Sequence, residues 1–129
     1  MPPRLFTLAE ANALLPQARQ LVATMLDARQ EILDLQPRLW PAVEKAVYNG
    51  GSKTLSEAAR QIIIIQDVLL ALADLGIQVK DINTGLIDFP ARYQGRIVLL
   101  CWQWDEPSVQ FWHDVDDGFA GRKPTSSWE

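Results

Sequence analysis

The chain has 129 residues, 48% hydrophobic and 22% charged, a length and composition that fold around one core and set aside intrinsic disorder. Its 16 acidic and 12 basic side chains leave a formal charge of −4, which repels phosphate backbones, so nucleic acid is not an expected partner. Met1-Pro2-Pro3-Arg4 has no apolar signal core and no apolar run approaches the roughly 20 residues of a membrane span; no membrane association and a cytoplasmic location are the expectation.

The first ordered element begins at Thr7-Leu8-Ala9-Glu10, a T-x-x-E capping box in which hydroxyl and carboxylate satisfy the free amides of a first helical turn. Pro16 lacks an N–H and clashes with the preceding turn, so a short helix over Leu8 to Leu14 is expected, then a long one from Pro16 to about Gln36. Pro37 and Pro41 break the helical pattern beyond Gln36, leaving two turns over Ala42 to Tyr48 before the loop Asn49-Gly50-Gly51-Ser52. A second box, Thr54-Leu55-Ser56-Glu57, heads a helix from Leu55 to Leu75, with Gly76 as left-handed C′ residue and Ile77 as the apolar C″ of a Schellman cap.

Within these segments Ala18, Leu21, Met25, Ala28, Ile32, Leu35 and Leu39 recur at alternate steps of three and four. So do Leu55, Ala58, Ile62, Ile65, Leu69, Leu72 and Gly76. This is the seam of helices packed side by side, and it predicts an antiparallel hairpin pairing 18–39 with 55–76. A second apolar stripe, Leu15, Val22, Leu26 and Leu33 on one helix and Ala59, Ile63 and Leu70 on the other, needs a second cover, from the sheet or from another protomer. A homodimer through the helices is expected, with Leu26, Leu33, Ile63 and Leu70 as interface residues.

After Gly76 the period becomes alternating. Leu86 to Arg92, Arg96 to Trp104 and Val109 to Val115 read as strands of an antiparallel meander, with Ile77 to Asp81 available as a fourth at an edge and a loop from Asp116 onward. A two-residue turn at Gln94-Gly95 and a four-residue loop at Asp105 to Ser108 set the register. Ile87, Phe89 and Ala91 then share a helix-facing side with Val98, Leu100, Trp102, Val109, Phe111, His113 and Val115. The opposite, mixed side carries Asp88, Cys101, Trp112 and Asp114 and is the natural place for a binding site. The fold expected is therefore α+β, a long helical hairpin on a small antiparallel sheet, in a single domain over 1–129 with a helical part at 7–76 and a sheet part at 77–124.

Few residues could carry chemistry. His113 is the only histidine and reads either as a ligand or base supported by Asp88 or Asp114, or as a structural histidine at the core edge. In the expected register it points away from both aspartates, so no metal and no cofactor are expected. Cys101, the only cysteine, excludes an intramolecular disulfide and a multi-thiolate metal site, and in an apolar strand it reads as structural. Gly118-Phe119-Ala120-Gly121-Arg122 offers either a backbone nest for an anion, with Arg122, Arg92 or Arg96 supplying charge, or a tight return loop. Among five tryptophans, Trp102 and Trp104 are expected in the core and Trp112 exposed.

The string Gly85-Leu86-Ile87-Asp88-Phe89-Pro90-Ala91, with Gly95-Arg96, Leu100-Cys101-Trp102, Phe111-Trp112-His113 and Gly118-Phe119-Ala120-Gly121-Arg122, resembles a family known as domain of unknown function 2203. Phe6-Thr7-Leu8-Ala9-Glu10-Ala11-Asn12 and Leu14-Leu15-Pro16 resemble its opening. The resemblance implies a bacterial intracellular protein and carries no reaction or ligand with it. From the residues, the expected function is a non-enzymatic oligomerisation or protein-interaction module. The alternative is a small-molecule or metal-dependent enzyme using Asp88, His113, Asp114 and Arg122 around the mixed face of the sheet.

Overall fold

The computed structural model describes residues 4–49 and 51–128, so Gly50 of the expected interhelical loop lies outside the described residues. Helix α1 spans Leu8–Asn49 and α2 spans Lys53–Asp74. The strands are β1 (Gln78–Asp81), β2 (Leu86–Tyr93), β3 (Arg96–Trp102), β4 (Phe111–Asp114) and β5 (Lys123–Pro124). Among the described residues they form one sheet in the order β1-β2-β3-β4-β5, every neighbouring pair antiparallel. The α+β class, the two long helices and the fourth strand are as expected; β5 is an addition.

The expectation that proline divides the first helix is overturned, because α1 is continuous over 42 residues with Pro16, Pro37 and Pro41 inside it. All three prolines are exposed. Leu15 and Ala18 are buried either side of Pro16, and Leu35 and Ala42 flank the other two. Packing on both sides of each break outweighs the lost hydrogen bond. The N-terminal capping box is present: Thr7 N donates to Glu10 Oε1 at 2.8 Å and Glu10 N to Thr7 Oγ1 at 3.0 Å.

At α2 the cap is Ser52, whose hydroxyl accepts from Leu55 N at 3.3 Å, and the helix starts two residues before the expected Leu55. Its far end closes as expected, with Gly76 N bonded to Ala73 O and Ile77 N to Leu72 O, both at 2.9 Å, and Gly76 at φ 87°. Only three residues separate α1 from α2. The two helices pack as an antiparallel hairpin, and Val68 and Leu72 of α2 share a buried cluster with Val22 and Met25 of α1. On α2 the inward row is Ala58, Ile65, Val68 and Leu72, and Ile62 is 48% exposed. On α2 the expected seam holds at Ala58, Ile65 and Leu72, with Leu69 partly buried against the core beside Val68, and departs at Ile62, because two adjacent rows of this apolar helix satisfy the same spacing.

The N-terminal half of α1 lies on the sheet. Leu15, Ala18, Val22 and Met25 form one buried cluster with Val68, Leu72, Ile87, Phe89, Ala91, Val98, Leu100, Trp102 and Trp112. Gln94 (φ 53°) and Gly95 (φ 78°) make the two-residue turn between β2 and β3, and Ile87, Phe89 and Ala91 stand opposite Trp102, Leu100 and Val98 as expected.

The next pairing is not as expected. Strand β3 stops at Trp102 and β4 starts at Phe111, with Val98 opposite Asp114, Leu99 opposite His113 and Leu100 opposite Trp112. This is one residue from the expected alignment, and with a period of two that step turns every β4 side chain to the other side. The cause lies in the connection. Glu106 accepts from Gln103 N at 2.7 Å through Oε1 and from Trp102 Nε1 at 2.9 Å through its carbonyl. Asn12 on α1 accepts from Val109 N at 2.8 Å. Val109 is thereby buried on the loop instead of entering the strand, and Val115 is exposed.

Candidate functional site

The register change builds a polar cluster on the side of the sheet away from the helices. Asp88 of β2 and Cys101 of β3 are opposite neighbours, their side chains on the same face. β4 brings in His113, whose Nε2 lies 3.1 Å from Asp88 Oδ2. The expected separation of His113 from Asp88 is therefore wrong, while that from Asp114 holds, since the two alternate along one strand. Asp88, Cys101 and His113 are all buried, and one donor atom from each lies within 4.8 Å of the other two. A recess of about 290 Å³ adjoins them, lined by Lys80, Leu86, Asp88, His113, Val115 and Phe119 among others.

The protons can be placed in part. His113 Nδ1 is 2.8 Å from the carbonyl oxygen of Asp114; a carbonyl only accepts, so Nδ1 carries hydrogen. In a neutral ring Nε2 is then a bare lone pair aimed at a carboxylate oxygen. Two acceptors at 3.1 Å repel, so a positive charge, proton or metal ion, belongs between them. The second oxygen, Asp88 Oδ1, is buried with no hydrogen-bond partner. Burial raises the carboxyl pKa of Asp88 above its ordinary value, against the opposing influence of His113 and the Cys101 thiol. Burial first, and then the Asp88 charge, pushes the Cys101 thiol up to about 12. Such a thiol is no nucleophile. Nor is this a Cys-His-Asp relay, because the nitrogen that would take the thiol proton already faces Asp88 and the other is held by the backbone.

The remaining candidates go elsewhere. Asp114 accepts from Arg96 Nε at 2.9 Å and Lys123 Nζ at 3.4 Å, hydrogen bonds that, Arg96's foremost, hold its carboxyl below the ordinary range. It lies on the helix-facing side of the strand, not on the Asp88 side. Arg122 is bound to Glu106 at 2.6 Å and to the Cys101 carbonyl at 3.3 Å. Its guanidinium lies over the rings of Phe111 and Phe119, at 4.1 and 4.7 Å from their centroids. Arg122 is therefore a latch closing the C-terminal segment over the outer sheet face, and the segment 118–122 is a return loop around it. Of the four residues proposed for an enzyme, two adjoin. Cys101, expected to be structural, joins them. Its place beside Asp88 was readable from the first hairpin; only the arrival of His113 was not.

Aromatic placement also differs. Trp102 is fully buried as expected, whereas Trp112 is 6% exposed and Trp104 39%. Trp112 faces the helices because of the same one-residue change, and Trp104 falls in the loop.

The helical arms form a second region of interest. Leu33, Trp40 and Val47 on α1 and Ile63 and Leu70 on α2 are spaced by seven residues and exposed, Trp40 at 69% and Leu70 at 65%. Of the expected interface set, Leu33, Ile63 and Leu70 face outward, whereas Leu26 packs against the core. Tyr48 is 87% exposed near the tip.

No helix among the described residues is long and apolar enough to cross a membrane. No curated protein and no solved structure matches the chain. The family model of an uncharacterized conserved protein, DUF2203, matches residues 4–125, nearly the whole length, and the chain belongs to that family.

Proposed function

We propose that the protein is a cytoplasmic, non-enzymatic interaction module that self-associates through its helical hairpin into a homodimer. The observation that supports this reading is the pair of outward heptad rows, Leu33-Trp40-Val47 and Ile63-Leu70, left exposed after each arm has buried its inner row. A two-helix arm can bury only one side of each helix against its partner helix. A second apolar row with coiled-coil spacing on both arms provides a surface that another copy can cover, extending two helices to a bundle. The apolar contact would supply the affinity, with the charged residues between the rows forming its rim.

Sedimentation of the untagged chain at tens of micromolar tests the proposal. A dimer is expected, and Leu33→Glu with Leu70→Glu should convert it to a folded monomer, since both positions are exposed in the single chain. A wild-type chain that sediments as a monomer would remove the proposal.

A further inference from the structure

Beyond that reading and independent of it, we propose that Asp88, Cys101 and His113 form a binding site for one transition-metal ion of the zinc type. Four observations converge on it. The three side chains offer oxygen, sulfur and nitrogen donors within 4.8 Å of one another, and a tetrahedral ion with bonds of about 2.0–2.3 Å needs its donors about 3.3–3.8 Å apart. Asp88 Oδ1 is buried with no partner, an orphan that a cation satisfies. His113 Nε2 and Asp88 Oδ2 face each other at 3.1 Å, a contact that a shared proton or a metal ion between them completes. The bond from His113 Nδ1 to the Asp114 carbonyl at 2.8 Å fixes the ring with Nε2 free, the outer-sphere support usual for a metal-bound imidazole.

The donor set selects the metal. One thiolate, one imidazole and one carboxylate suit a borderline ion such as Zn²⁺ or its substitute Co²⁺ and not Mg²⁺ or Ca²⁺, which take oxygen. Binding releases the thiol proton, and any proton held between His113 and Asp88, to solvent. Three protein ligands leave the fourth position open, and the adjoining recess, with Lys80 on its wall, gives a water or a small ligand room to occupy it.

The test is Co²⁺ titration of the reduced, untagged, full chain, followed by absorption, together with zinc analysis of the protein as purified. The expected result is one Co²⁺ per chain, a thiolate-to-cobalt charge-transfer band that Cys101→Ala abolishes, and affinity lowered by about 100-fold or more in Asp88→Asn and His113→Gln. Absence of the charge-transfer band in the wild-type chain overturns the site, and that measurement stands even if a variant fails to fold. Binding that persists unchanged in folded Cys101→Ala overturns it equally.

Discussion

The distal hairpin and the outer sheet face break the burial rule in opposite senses. One leaves large apolar side chains in water, Trp40, Val47 and Leu70 among them; the other withdraws an aspartate, a histidine and a thiol from it. Each departure is costly in an isolated chain, and each points to something that relieves it. An apolar row is relieved by area, so its partner is a large surface. A buried acceptor pair is relieved by charge, so its partner is small and positive.

The contrast predicts how each region responds to substitution. The largest effect belongs to the outer face. With a chelator present, His113→Leu should destabilise the fold by about 3–5 kcal/mol, because Asp88 is left buried without compensation. Asp88→Leu combined with His113→Leu should cost less than His113→Leu alone, since no orphaned charge remains. Urea denaturation of both variants checks this, and additive losses would contradict the coupling. Within the hairpin, the inner and outer rows should separate: Ile65→Ala should cost about 2 kcal/mol, and Ile62→Ala no more than about 0.5 kcal/mol. Equal shifts in denaturation midpoint would return Ile62 to the seam.

Smaller still is the effect expected at the start of α1. Thr7→Ala should cost about 1 kcal/mol by loss of the cap. Glu10 in the same box is held below the ordinary glutamate range chiefly by the Thr7 backbone amide and next by the Thr7 side chain. Because the folded pKa is the lower one, its contribution is present above the ordinary value and disappears as pH falls through the folded one. Glu10→Gln should therefore flatten the acid side of the stability profile, as thermal melts across that range would show. The smallest stability change is expected for Leu33→Glu with Leu70→Glu, within about 0.5 kcal/mol for the monomer measured at dilution, even though the oligomeric state should change.

Sequence and structure agree where interactions are local. The Thr7 box, the Schellman close at Gly76 and the two-residue turn at Gln94-Gly95 each depend on residues within a few positions, and all are present. Apart from the Thr54 box, displaced by the Ser52 cap, the differences lie where distant contacts decide. Nothing near Pro16 says that Leu15 and Ala18 will be held against a sheet formed by the far end of the chain. Nothing in the loop after Trp102 says that Asn12 will fix Val109. That contact, together with the Glu106 bonds in the loop, sets the β4 register, and the site depends on it: Asp88 and Cys101 are legible as neighbours, but the side on which His113 arrives is not. In the hairpin the inward row is largely legible, at Ala18, Met25, Ala28, Leu35, Ala58, Ile65 and Leu72, while Ile62 turns outward and Leu15, Val22 and Leu26 of the second stripe are taken up by the core.

The Asn12 clamp also orders events in time. Strand β3 could zip onto β2 unaided, since the Gln94-Gly95 turn dictates their alignment. β4 does not complete its observed alignment by continuing that process, for its phase is held in part by a side chain 97 positions away, and the chain between them must first be brought together at an entropic cost. The fourth strand is thus a late joiner, waiting on the docking of α1. Pulsed hydrogen exchange during refolding should find amides shared between β2 and β3 protected before those between β3 and β4, and Asn12→Ala should lengthen the interval.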